Sequence, residues 1–154
     1  MVCTGNICRS PMAEAILRAA LAGTPSEGLV VVDSAGTHRY HVGEDADPRA
    51  LQALGEAGYP VAHRARQFDP RWFPERDLVL AMDSGHERDL RVLARRTGHP
   101  GTDIRAIRRF DPEGPGDVPD PYYDTITQFR EVRSMLERCM PGLIAHLDGL
   151  TAPR

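Results

Sequence analysis

The sequence predicts an α/β fold, an open, mostly parallel four-stranded sheet flanked by helices. Helical and extended patterns alternate along the whole chain, the order that builds βαβ units. The extended runs are short, apolar and β-branched rather than alternating, as expected of parallel strands buried on both faces. The 154 residues read as one domain over 1–154, within the roughly 100–200 residues usual for one.

The first helix starts at Ser10-Pro11, a hydroxyl suited to capping and a proline suited to the first turn. Ala13, Ile16, Leu17, Ala20 and Leu21 then recur on one face, and Gly23 ends it. The run 29–32 reads as a buried strand. Asp47-Pro48 opens a second helix through Ala50, Leu51 and Leu54 that stops at Gly58. Strands follow at 78–82 and 104–107, with a charged amphipathic helix over 84–97 between them. The stretch 111–120, rich in proline, glycine and acid, is a loop placed for function before the last helix. That helix starts at a Thr125/Gln128 capping box and runs toward Leu147, with a kink expected at Pro141.

Composition narrows the chemistry. All 19 basic residues are Arg, against 22 acidic ones, for a net charge of −3. Without Lys there is neither a Walker-type phosphate loop nor a lysine Schiff base. The acidic balance argues against nucleic acid as a partner. Any bound anion is met by Arg, backbone N–H groups or a helix N-terminus. The three cysteines, Cys3, Cys8 and Cys139, are too few for a disulfide scaffold, which points to a reducing compartment. With no signal-peptide layout and no run of ~20 apolar residues, no membrane partner is expected and the chain reads as cytoplasmic.

Cys3 is followed after five residues by Arg9 and then Ser10. A five-residue turn between a strand end and a helix start can aim its N–H groups inward as an anion nest, reinforced by the helix terminus. The Arg9 fork can hold two phosphate oxygens. A thiol in the same field loses its proton readily and becomes a nucleophile. Cys8 reads equally as a second thiol or as a small buried apolar residue. Cys139 and Trp72 read as packing, and His86 to Arg96 as a solvated face. Asp120, in its acidic loop, is on local grounds alone a solvated turn residue, and Tyr122 and Tyr123 are candidate surface aromatics.

The segment Cys3-Thr4-Gly5-Asn6-Ile7-Cys8-Arg9-Ser10-Pro11 resembles the phosphate-binding loop of the low-molecular-weight protein tyrosine phosphatases. Ser34-Ala35-Gly36-Thr37, His41-Val42-Gly43, Asp47-Pro48-Arg49, His63-Arg64-Ala65-Arg66, Met82-Asp83 and Asp120-Pro121-Tyr122-Tyr123 match in order, so the likeness covers residues 2 to about 147. It implies that Cys3 is the nucleophile that becomes phosphorylated, Arg9 the phosphate clamp and Asp120 the general acid. It implies further that Ser10 hydrogen-bonds the thiolate and that Asn6, Ser34 and His63 hold the loop's shape. Thr4, Gly5, Asn6, Ile7, Cys8 and Ser10 then cradle the phosphoryl group, with Tyr40, Tyr122 and Tyr123 lining the cleft. By the same analogy Ile7 leans toward phosphotyrosine, since relatives like arginine phosphatases carry Thr there. Cys8 becomes a reversible disulfide partner of Cys3. The implied partners are tyrosine-phosphorylated proteins, with inorganic phosphate as product, no metal or organic cofactor, and a monomer or weak dimer.

Other classes fit less well. An arsenate reductase on this scaffold needs further thiols, and residues 82–90 contain none. A zinc site lacks a second Cys or His pair at ligand spacing. A phosphotyrosine-binding module without turnover should lack the nucleophile or the acid, and both are present. One departure from the family stands out: only Met1 and Val2 precede Cys3, where the family has a full central strand. The expectation is therefore either a polypeptide that begins further upstream or a sheet without its first strand, impaired in stability and catalysis.

Overall fold

The computed structural model describes residues 1–152. Four strands, β1 (Val2–Cys3), β2 (Ala35–Gly36), β3 (Val79–Ala81) and β4 (Ile104–Ala106), pair in parallel in the order β2-β1-β3-β4. The helices are α1 (Arg9–Ala20), α2 (Pro48–Glu56), α3 (Ser84–Arg96) and α4 (Ile126–Thr151), with 3-10 turns at Pro70–Glu75 and Ile107–Phe110.

The central strand is present, which corrects the expectation of its loss. Val2 pairs with both Ala35 and Ala81. Ala35 N donates to Met1 O at 2.9 Å, Met82 N to Val2 O at 3.0 Å and Thr37 N to Cys3 O at 2.8 Å. Two residues suffice because the neighbouring strands are themselves only two and three residues long.

Alternation along the strands sorts side chains into two cores. Val2, Val79 and Ala81 join Leu90 and Ala94 of α3, Phe73 and Ile104 on one face. Cys3, Leu80 and Met82 join α1, α2 and α4 on the other. Helices on both faces and strand ends converging on one rim make a doubly wound sheet, whose ligands bind beyond the carboxyl ends of its strands.

The strand expected at 29–32 is absent. Leu29 N and Val30 N both donate to Ser26 O, a turn that leaves Leu29 63% and Val31 93% exposed. The strand lies further on, at Ala35–Gly36, where small residues are required. A Cβ on Gly36 would lie 2.6 Å from Thr4 O, far inside any tolerable contact.

Helix starts are mixed. Asp47 caps α2 by accepting from Arg49 N, with Pro48 at the first position as expected. Asp83 caps α3 through His86 N. Thr125 precedes α4, but its hydroxyl makes no cap bond. Nor does Ser10 cap α1, which begins one residue earlier after Cys8; its hydroxyl has another use. Pro141 does not end α4, which continues to Thr151.

Candidate active site

Residues Thr4 to Cys8 form the loop joining β1 to α1. Asn6 adopts the left-handed conformation, φ 58°, which Asn tolerates better than most side chains. Such a step lets successive amides converge as a nest. Among the described residues, the N–H groups of Gly5, Asn6, Ile7 and Cys8 donate to no protein acceptor. Together with the start of α1 they form an anion-binding turn.

The loop is fixed by one buried amide. Asn6 Oδ1 accepts from Arg66 N at 2.9 Å, and because a backbone N–H can only donate, the carboxamide orientation is settled. Its Nδ2 then donates to Ser10 Oγ and Ser34 Oγ, each at 2.9 Å. Ser34 Oγ passes the chain on to Glu14 Oε2. His63 Nε2 lies 2.6 Å from Asn6 O and donates to it. The expected loop-support residues Asn6, Ser34 and His63 thus all meet at the loop.

Ser10 Oγ lies 3.0 Å from Cys3 Sγ. With its lone pair receiving the Asn6 amide, the Ser10 hydroxyl can turn its hydrogen to a Cys3 thiolate, in competition with a longer contact to Ala35 O at 3.4 Å. The nucleophile candidate therefore has a preset donor. Burial pushes the Cys8 thiol well above its ordinary value, an effect reinforced by the nearby Asp47 carboxylate. Cys8 therefore stays a thiol while Cys3 is the one supplied with a donor; all three cysteines are unpaired.

Arg9 is only 3% exposed. Its Nη1 donates to Asp83 Oδ2 at 2.9 Å and to Val118 O at 3.1 Å. Its Nη2 lies 3.4 Å from Asp120 Oδ2. Asp120 is half-exposed on the opposite wall, and its Oδ1 accepts from Tyr122 N at 3.2 Å. Burial pushes the Asp83 carboxyl up, but the His86 N–H and the charges of His86 and Arg9 outweigh it and hold the group below the usual range.

These groups enclose a cleft of about 260 Å³ lined by Cys3, Arg9, Asp120, Tyr40, His41 and Tyr122, among others. Thr4, Gly5, Ile7, Cys8 and Tyr123 also line it, whereas Asn6 and Ser10 act from behind the loop. Tyr122 packs edge-on against Tyr123, ring centroids 4.9 Å apart. Tyr40 stacks on His38 at 5.0 Å.

Several residues have roles that the sequence did not assign, although Asp83 and His41 stand in matched motifs. Asp83 anchors Arg9. His86, expected on a solvated face, is buried, and its Nε2 shares a hydrogen bond with Thr4 Oγ1 at 2.8 Å. Its Nδ1 is 3.1 Å from Asp83 Oδ1 but is not aligned for a hydrogen bond. His41 packs against Gly5, where a Cβ would lie 2.9 Å from its ring. The available signal was positional: Asp83 sits where a cap belongs, and His86 is three residues on, facing back over the first turn.

Comparison with known proteins agrees with this geometry. The sequence model of a family described as low molecular weight phosphotyrosine protein phosphatase matches residues 1–150. A low molecular weight protein-tyrosine-phosphatase of Streptomyces coelicolor is 49% identical over 147 residues, covering 94% of this chain and 89% of that protein. The crystal structure of YfkJ from Bacillus subtilis superposes with a TM-score of 0.88 at 33% identity, covering 98% of this chain and 94% of that one. The arginine phosphatase YwlE, solved with a phosphorylated active-site serine, superposes at 0.81 with 31% identity, over 95% of this chain and 92% of its own.

Proposed function

The chain belongs to the low molecular weight phosphotyrosine protein phosphatase family and is a phosphatase, and from that premise we propose that it hydrolyses phosphotyrosine in proteins through a phosphocysteine on Cys3. The Cys3 thiolate attacks phosphorus and the bond to the tyrosine oxygen breaks. Asp120 gives its proton to the departing phenolate. Water then attacks the phosphocysteine and loses its proton to the Asp120 carboxylate; the S–P bond breaks, inorganic phosphate leaves and the thiolate returns.

Negative charge on the transferring oxygens is met by Arg9 and by the N–H groups of Gly5 to Cys8. Positioning and electrostatics of this kind supply most of the catalysis in phosphoryl transfer. The observation that carries the reading is the convergence of Cys3, its Ser10 donor, the buried Arg9 and Asp120 on one cleft. As the family resemblance implies, Cys8 is the disulfide partner: a peroxide oxidises Cys3 to a sulfenic acid, and the Cys8 sulfur then forms the S–S bond as the S–O bond breaks and water leaves.

Phosphotyrosine is favoured over phosphoarginine by Ile7 in the loop and by the aromatic walls at Tyr40 and Tyr122, whose faces suit a phenyl ring. Hydrolysis of matched phosphotyrosine and phosphoarginine peptides tests this. The phosphotyrosine peptide is turned over faster. Cys3→Ser abolishes turnover while phosphate still binds, and Asp120→Asn lowers kcat/KM by about 10²–10³. Preference for the phosphoarginine peptide, or turnover surviving in Cys3→Ser, would overturn the reading.

A further inference from the structure

Asp120 sits in the sequence Pro119-Asp120-Pro121, and the two prolines fix the backbone on either side of it. This short bridge has two abutments. Upstream, Val118 is fully buried; its N donates to Met82 O at 2.8 Å and its carbonyl accepts from Arg9. Downstream, the abutment is Arg49. Its Nη2 donates to Tyr122 O at 2.8 Å and its Nη1 to Asp124 O at 2.7 Å.

The Arg49 head is itself held on every side. Nε donates to Asp47 Oδ1 at 3.0 Å and Nη2 to Asp47 Oδ2 at 2.8 Å. Its planar face lies over the Phe129 ring, 4.6 Å from the centroid. Asp47 is buried, caps α2, and donates its own N–H to Ile7 O, inside the phosphate loop, at 2.8 Å. A continuous path therefore runs from Ile7 through Asp47 and Arg49 to the carbonyls that follow Asp120.

We propose that Arg49 is a positioning residue for Asp120: it fixes the acid-bearing segment relative to the phosphate loop, so that the Asp120 carboxyl meets the leaving oxygen of a phosphate held over Cys3. The proposal rests on the reading of Asp120 as general acid. Lys cannot replace Arg49, because one ammonium cannot span a carboxylate and two diverging carbonyls with planar geometry. Misplacement of a catalytic group by about 1 Å costs on the order of 10²-fold in rate, and the cost falls only on reactions that need the proton.

The test is kcat/KM for two aryl phosphates: phenyl phosphate, whose phenol is as basic as that of tyrosine, and 2,4-dinitrophenyl phosphate, whose phenolate leaves without help. Arg49→Lys is expected to lower the phenyl phosphate value roughly 10–100-fold and the dinitrophenyl value about threefold or less. Combined with Asp120→Asn, it should add little to the loss from Asp120→Asn alone. Inhibition by inorganic phosphate should change about twofold or less, since Cys3 and Arg9 are untouched. Asp47→Asn, which keeps a cap acceptor but weakens the fork, should shift the two substrates in the same unequal way and guards against a misfolded Arg49 variant. Equal losses on both esters, or full additivity with Asp120→Asn, would refute positioning by Arg49. A leaving-group-independent effect of Asp120→Asn itself would instead refute the general-acid reading, and the proposal with it.

Discussion

The Asn6 carboxamide meets three demands at once, accepting from Arg66 N and donating to Ser10 and Ser34, while its backbone takes a left-handed turn that few other residues accept. Thr4, two residues earlier, is held differently: its carbonyl accepts from His38 N and its hydroxyl bonds to the buried His86. Burial lowers the His86 imidazole from its ordinary value despite the nearby Asp83 carboxylate. Removing one partner of such a pair strands the other. Thr4→Val is therefore expected to cost about 1–3 kcal/mol, and the double variant with His86→Leu less than the sum of the two single changes. Denaturant unfolding of the four proteins measures this; additive losses would mean that the bond carries nothing.

At the level of elements, the regular parts were legible and the irregular ones were not. Helices α2 and α3 announce themselves through Asp47-Pro48 and through amphipathic spacing, and β3 and β4 through apolar runs that fill both cores. The phosphate loop was legible because its chemistry needs particular residues at particular spacings. The run at 29–32 misled because an apolar β-branched stretch looks the same whether it pairs or turns at an edge. β2 is almost invisible in sequence: Ala35-Gly36 is selected for close approach to Thr4 O rather than for strand propensity. β1 escaped because two residues carry no periodicity, and their pairing is decided by neighbours far away in the chain. Arg49 and Asp83 stand in the matched motifs, but their roles were hidden for the same reason. Their roles come from carbonyls and side chains tens of residues distant, and no local pattern encodes that.

Across the whole molecule, the absence of Lys gives the ion pairs a common form. Asp33 is bound by Arg66 and Arg76, Asp47 by Arg49, Asp83 by Arg9, and Asp111 by Arg108 and Arg138. Burial alone would raise all four carboxyls, but the guanidinium groups and nearby N–H donors outweigh it, so each lies below 3.8. A carboxyl whose folded value is depressed stabilises the fold above its unfolded value, and that stability is lost as pH falls through the folded value. His86, also depressed, acts in the same direction. Stability to urea should therefore fall steeply below about pH 4. Asp111→Asn should cost roughly 2–3 kcal/mol at neutral pH, less than a fully buried pair because both arginines keep some contact with water, and should flatten the acid limb. An unchanged limb would place the acid sensitivity elsewhere.

The central claim is covalent catalysis by Cys3 with Asp120 serving both steps. It is tested most directly by mixing the Asp120→Asn enzyme with 2,4-dinitrophenyl phosphate, quenching in acid, and mapping the product by mass spectrometry. The first step needs no proton and the second lacks its base, so the account predicts that the intermediate accumulates to about one phosphoryl group per chain, attached to Cys3. No covalent phosphate, or phosphate attached to any other residue, would contradict it.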